Sequence, residues 1–89
     1  MSKYTVLIKK SVSKNLEKLP LAIQAKFARL VVDLEEQGPM PKGWQNLSKL
    51  TGNDYHCHLT YSYVACWRFE NGSFVIEVYY VGSREGAPY

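Results

Sequence analysis

The chain has only two cysteines and no apolar run near the ~18–20 residues a membrane helix needs. The first scarcity excludes a disulfide-stapled scaffold and points to a reducing, cytoplasmic setting with free thiols. The second excludes a membrane span, and Met1-Ser2-Lys3 leads straight into a strand-like segment instead of a secretory signal. There is no repeat, no low-complexity tract and no place to divide the chain, so residues 1–89 read as one domain. Folding at this length hides only about two-thirds of the unfolded surface, which leaves a modest core. With 46% hydrophobic and 21% charged residues the composition is globular and not disordered.

Acidic residues are scarce in the first third. Residues 1–29 carry seven Lys/Arg against the single acid Glu17, whereas residues 30–89 are net −3. A basic first third suits contact with phosphate or with an acidic partner. The same lysines (Lys9, Lys10, Lys14, Lys18 and Lys26) also serve simply to solvate helix surfaces and a strand end, and charge alone admits both readings.

Tyr4-Thr5-Val6-Leu7-Ile8 is rich in β-formers and reads as a first strand. Ser11 or Ser13 can cap a short helix with Val12, Leu16 and Leu19 on one side. Pro20 breaks it and opens a longer helix in which Ile23, Phe27, Leu30 and Leu34 form a buried stripe. Gly38-Pro39 ends that helix, completing a helical hairpin. Met40 to Asp54 has no clear period and reads mostly as loop, anchored by Trp44 and Leu47. Three strands follow: Tyr55–Thr60, Tyr63–Phe69 and Phe74–Val81, the last two joined through Asn71-Gly72, a hairpin signal. The last strand is apolar on both faces except at Glu77, which predicts a central position. The expected architecture is α+β: an N-terminal strand, a helical hairpin, then a three-stranded antiparallel segment. Together these make a four-stranded sheet with both helices on one face and the other face open to solvent.

His56 and His58 are the only histidines, alternating with Tyr55, Cys57 and Leu59. A strand sends both imidazoles to one face, about 6.6 Å apart along the chain. If the apolar trio faces the helices, the imidazoles lie on the open face, where a pair titrating near neutrality suits a general base and a general acid. Polar residues on the solvent side of a half-exposed strand are also routine. His-x-His is metal-ligand spacing as well, with Cys66 a conceivable third ligand, but acids nearby are few and there is no second Cys/His pair. A Cys57–Cys66 disulfide is disfavoured by compartment, and by pairing that turns the two thiols to opposite faces. Arg84 follows the last strand, where its guanidinium can hold a phosphate or simply be solvated. Tyr89 either frays or packs its ring, and Arg68 is a phosphate contact or a snorkelling surface residue.

Lys10-Ser11-Val12-Ser13-Lys14-Asn15-Leu16-Glu17-Lys18-Leu19-Pro20, the amphipathic helix after it, Tyr55–Val81 and the ending Val81-Gly82-Ser83-Arg84…Tyr89 together resemble the RelE/ParE superfamily, toxins of bacterial toxin–antitoxin pairs. The resemblance spans nearly the whole chain and implies a microbial-RNase-type fold. RelE-like members cleave messenger RNA in the ribosomal A site and so stop translation; ParE-like members share the fold and poison DNA gyrase. The RelE-like reaction is attack of a ribose 2′-OH on the adjacent phosphate, giving a 2′,3′-cyclic phosphate and a 5′-OH, without metal or other cofactor. Carried over by position, the resemblance makes His56, His58, Arg84 and Tyr89 the catalytic set. Lys9, Lys10, Lys14, Lys18 and Arg68 become RNA contacts. It implies a cognate antitoxin, with which a hetero-oligomer can form, and messenger RNA on the ribosome as partners. The chain departs from the family in three ways. A basic residue common in the middle strand falls near Val64, imidazoles stand where lysines are usual, and no helix follows Tyr89. The proton-shuttling pair favours an endoribonuclease over a gyrase inhibitor or a non-catalytic antitoxin-binding member.

Overall fold

The computed structural model describes residues 3–89. Its elements run β1 (Thr5–Ile8), α1 (Lys10–Leu16), α2 (Leu21–Gln37), β2 (Gln45–Lys49), β3 (Asp54–His58), β4 (Tyr63–Phe69) and β5 (Val75–Ser83). A 3-10 turn, Arg84–Gly86, follows β5. The strands form one mixed sheet in the order β1-β5-β4-β3-β2, with β1 parallel to β5 and every other pair antiparallel. The α+β expectation holds, as does the central place of the last strand.

The sheet has five strands, not four. The extra one, β2, falls in the stretch read as loop. Its residues are polar, only Leu47 is half-buried, and its pairing with β3 shifts register between Gln45 and Ser48 around Asn46, whose φ is +51°. An edge strand carrying a bulge shows no period of two for a sequence to display.

The helix ends also differ in detail. Lys9, not a serine, occupies the cap of α1 and supplies no side-chain hydrogen bond. Pro20 caps α2 from just outside instead of forming its first residue. At the other end Gly38 has φ +92°, and a Cβ there would lie 2.8 Å from Cζ of Tyr4, so both backbone and space call for glycine.

Both helices cover one face of the sheet. Ile23, Phe27, Leu30 and Leu34 are buried as the stripe predicted, against Tyr55, Cys57, Leu59, Ala65, Trp67, Ile76, Val78 and Val81. Each fully buried large side chain contributes roughly 1.5–3 kcal/mol. Trp67 is fully buried and still satisfies its indole, donating to the Pro39 carbonyl at 3.0 Å. Trp44 does anchor its loop, donating to Asp33 Oδ2 on α2 at 2.9 Å.

A bulge controls the other face. β4 and β5 pair as Trp67↔Val78 but Cys66↔Tyr80, leaving Tyr79 as the extra residue. Ile76 and Val78 face the helices before the bulge and Val81 faces them after it. Tyr80 and Gly82 therefore share the helix-free side with Cys66 and Val64. Strict alternation would have reversed that assignment.

Candidate active site on the helix-free face

Alternation along β3 buries Tyr55 and Cys57 against the helices and turns His56 and His58 to the helix-free face, both half-buried. Their ring centroids are 5.9 Å apart. Because directly paired antiparallel residues share a face, the rows across the sheet are Ser48–His56–Cys66–Tyr80 and Gln45–His58–Val64–Gly82. Cys57 pairs with Ala65 and so points away from Cys66; both thiols are free.

This face is less open than its polar pattern predicts, since Val64 and Cys66 are fully buried on it. Past β5 the chain turns through Arg84–Gly86, held by the Tyr80 hydroxyl donating to the Ser83 carbonyl at 2.8 Å. The Ser83 hydroxyl in turn accepts from the Gly86 amide. A Cβ on Gly82 would lie 2.9 Å from the Tyr80 hydroxyl, so that ring can run along the strand only over glycine. The turn returns the chain across the face and brings the Tyr89 ring to 4.5 Å from that of His56. Tyr89 is therefore packed, although half its surface remains exposed.

His56 Nδ1 lies 3.2 Å from the Ser48 hydroxyl. Burial, then the neighbouring His58, push the His56 pKa down from its ordinary 6.5, and a hydrogen bond to the Ser48 backbone opposes the shift in part. The imidazole is thus biased to its neutral form, with a nitrogen able to accept a proton. Tyr89 moves the other way: burial and then Cys66 raise it, while the Arg84 charge pulls it back. It stays a protonated phenol near neutrality. Cys66 is pushed up to about 12, first by burial and then by Asp54. A thiol so resistant to ionisation is a poor third ligand for the histidine pair, and the described residues contain no group of three or more His, Cys, Asp or Glu placed to hold a metal.

Arg84 leaves the sheet beside the loop between β3 and β4. Its backbone amide donates to the Ser62 carbonyl and its guanidinium lies over the exposed Tyr61 ring, 4.5 Å from the centroid. Arg68 is on the helix-free face, but Asp54 holds its Nε at 3.1 Å, and its guanidinium lies 5.0 Å from the Tyr79 centroid. Lys9, Lys10, Lys14 and Lys18 are exposed. Lys10 and Lys14 lie on the side of α1 away from buried Val12, in the layer across the sheet from the imidazoles, and Lys18 sits in the turn that follows the helix. The fold thus brings His56, His58 and Tyr89 together, sets Arg84 at the rim, ties Arg68 to an acid and leaves the α1 lysines elsewhere. Reading the sequence missed Ser48, hidden in an unrecognised strand, and Tyr80, whose face depends on the bulge.

No protein-family model matches the sequence, and no curated protein matches it. Solved structures do. A chain of the archaeal RelE-RelB complex from Pyrococcus horikoshii is 25% identical over 96% of this chain and 99% of that one, with TM-score 0.76. A mutant of E. coli toxin RelE in the free state is 22% identical, covering 98% of this chain and 88% of that one, with TM-score 0.73. The YoeB/ParE toxin from Agrobacterium tumefaciens is 14% identical over 90% and 98%, with TM-score 0.71.

Proposed function

We propose that this chain, whose fold is that of the RelE-type toxins it matches, is a member of the RelE/ParE superfamily, the toxin of a toxin–antitoxin pair and a metal-independent endoribonuclease. It acts in the cytoplasm on messenger RNA held in the ribosomal A site. The observation that carries the nuclease reading is the imidazole pair, 5.9 Å apart on the helix-free face, with Tyr89 against one ring and an arginine at the rim.

Cleavage by an internal nucleophile needs a base for the 2′-OH, an acid for the departing 5′-oxygen and cations for the phosphorane. His56, whose proton affinity is lowered, takes the 2′-OH proton. The 2′-oxygen then bonds to phosphorus, and the P–O5′ bond breaks. His58, entering the step protonated, gives its own proton to the leaving oxygen while His56 keeps the one from the 2′-OH, so no water is consumed and a 2′,3′-cyclic phosphate and a 5′-OH remain. Arg84 stabilises the extra negative charge. Tyr89, a protonated phenol, stacks on a base beside the cleaved linkage.

The antitoxin partner is supported by the P. horikoshii relative, solved as a RelE-RelB complex. An acidic or amphipathic segment that orders as it wraps the basic surface fits the charge of the first third.

The test is expression with end mapping. Growth arrest with messages ending in 2′,3′-cyclic phosphate, abolished in His58→Ala and Arg84→Ala, supports the nuclease. Arrest that survives both substitutions and stalls replication supports a gyrase poison. Soluble expression without any growth effect supports a member that only binds its antitoxin.

A further inference from the structure

A second site lies around the sheet edge from the histidine pair. Between α2, the loop entering β2 and the turn leaving β3 is a cleft of about 450 Å³, within the range of small-ligand sites. Lys26, Arg29 and Lys42 line it, together with His58 and Tyr61. Lys26 and Arg29 share one side of α2, three residues apart. Lys42 comes from the loop, whose backbone amide donates to Gln37 Oε1 at 2.9 Å. The one acid on this wall, Asp33, accepts at Oδ2 from the Trp44 indole. Lys26 also donates to the Leu59 carbonyl at 3.2 Å, which ties α2 to the turn leaving β3. Among the described residues the ion pair present is Arg68–Asp54, which involves none of these three cations. Three cations against one carboxylate leave the wall net positive, which favours an anion there.

We infer that this cleft binds a phosphate of single-stranded RNA adjoining the cleaved linkage, with that nucleotide's base stacked on Tyr61. Two features favour a nucleotide over an acidic peptide. His58 lines the cleft and also belongs to the helix-free face, so it joins the histidine pair to the cleft. Tyr61 is three-quarters exposed and backed by the Arg84 guanidinium, a platform suited to a π-face and wasted on a carboxylate. The inference extends the nuclease reading, giving it a binding subsite away from the reacting atoms.

The test is an NMR titration of the isotope-labelled full chain with a single-stranded tetradeoxynucleotide, uncleavable because it lacks the 2′-OH. Amides of residues 42–45 and 59–61 should shift. The Arg29→Glu/Lys42→Glu double variant should bind at least tenfold more weakly, with a shallower salt dependence and an unchanged thermal midpoint. Both side chains are exposed, and Lys42→Glu alone, in the loop, should act in the same direction. Shifts confined to other surfaces, or equal affinity in the variants, would overturn the subsite. So would a hexaglutamate peptide shifting the cleft amides where the oligonucleotide does not, which would make the cleft a protein-docking surface. End mapping separates the two ideas. Cleavage by wild type with no oligonucleotide in the cleft removes the subsite and leaves the nuclease; binding in the cleft without any cleavage does the reverse.

Discussion

The two faces of the sheet obey different rules. Toward the helices the buried side chains are hydrophobic, with partly buried ones such as Leu16 and Tyr63 packed around them, and β3 contributes Tyr55 and Cys57 to a continuous core. On the opposite face the same strand contributes two imidazoles, and burial there is patchy. Val64 and Cys66 are fully covered, while His56 and His58 are only half covered. One face supplies stability and can tolerate no polar change; the other holds polar groups at controlled burial, where modest desolvation retunes a proton affinity without sacrificing the fold. Substitutions should therefore separate cleanly, with folding lost on one side and activity on the other.

The strongest way to break that separation is on the helix side. Trp67→Ala should cost about 3–5 kcal/mol by leaving a cavity and an unpaired Pro39 carbonyl. In a chain whose whole stability is of order 5–15 kcal/mol, urea denaturation should show the midpoint collapse. His56→Ala should do the opposite: message cleavage on purified ribosomes should fall by roughly 10²–10⁴-fold while the urea midpoint hardly moves. Arg84→Ala should lower the cleavage rate by about 10²–10³-fold, again with a native melting curve, since the side chain is exposed. Tyr89→Phe, which keeps the ring, should act within a few-fold of wild type, whereas Tyr89→Leu should lose more; the difference isolates stacking from the hydroxyl.

The pH dependence sharpens the contrast without mutation. His56 in the folded protein has a lowered pKa, so the native state binds fewer protons than the unfolded chain. Its contribution to stability is complete above about 6.5 and declines as pH falls from there through the folded value. The base limb of a pH–rate profile should accordingly lie below 6.5. Cys57 behaves inversely, raised from 9.0 to about 12 mainly by burial. The folded state should lose stability as pH climbs between those values, a trend that thermal melts in alkaline buffers would record and Cys57→Ala would lessen.

Much of this contrast was visible in the sequence. The stripe Ile23, Phe27, Leu30 and Leu34 is periodic because one helix side is buried throughout, and β3 alternates without interruption, so the facing of its histidines could be read directly. The helix-free face was legible only up to β3. β2 is an edge strand with a bulge, which concealed Ser48. In β5 the extra residue Tyr79 inverts the alternation, which makes the strand look apolar on both sides and hides the shared face of Tyr80 and Gly82. That the chain after β5 returns over the face, placing Tyr89 on His56, depends on contacts of Tyr80 and Ser83 that no local pattern announces. The cationic cleft was missed because its cations come from a helix and a loop that only the fold brings up to His58 and Tyr61.

Single-turnover cleavage of ribosome-bound message by wild type and His56→Gln, with the melting curve of each recorded in parallel, bears most directly on the division of labour between the two faces. Matched melting midpoints with a rate at least about 100-fold lower in the variant are the outcome expected of a base seated on the helix-free side. Equal rates would remove that imidazole from the chemistry and leave the paired histidines as surface decoration on a shared fold.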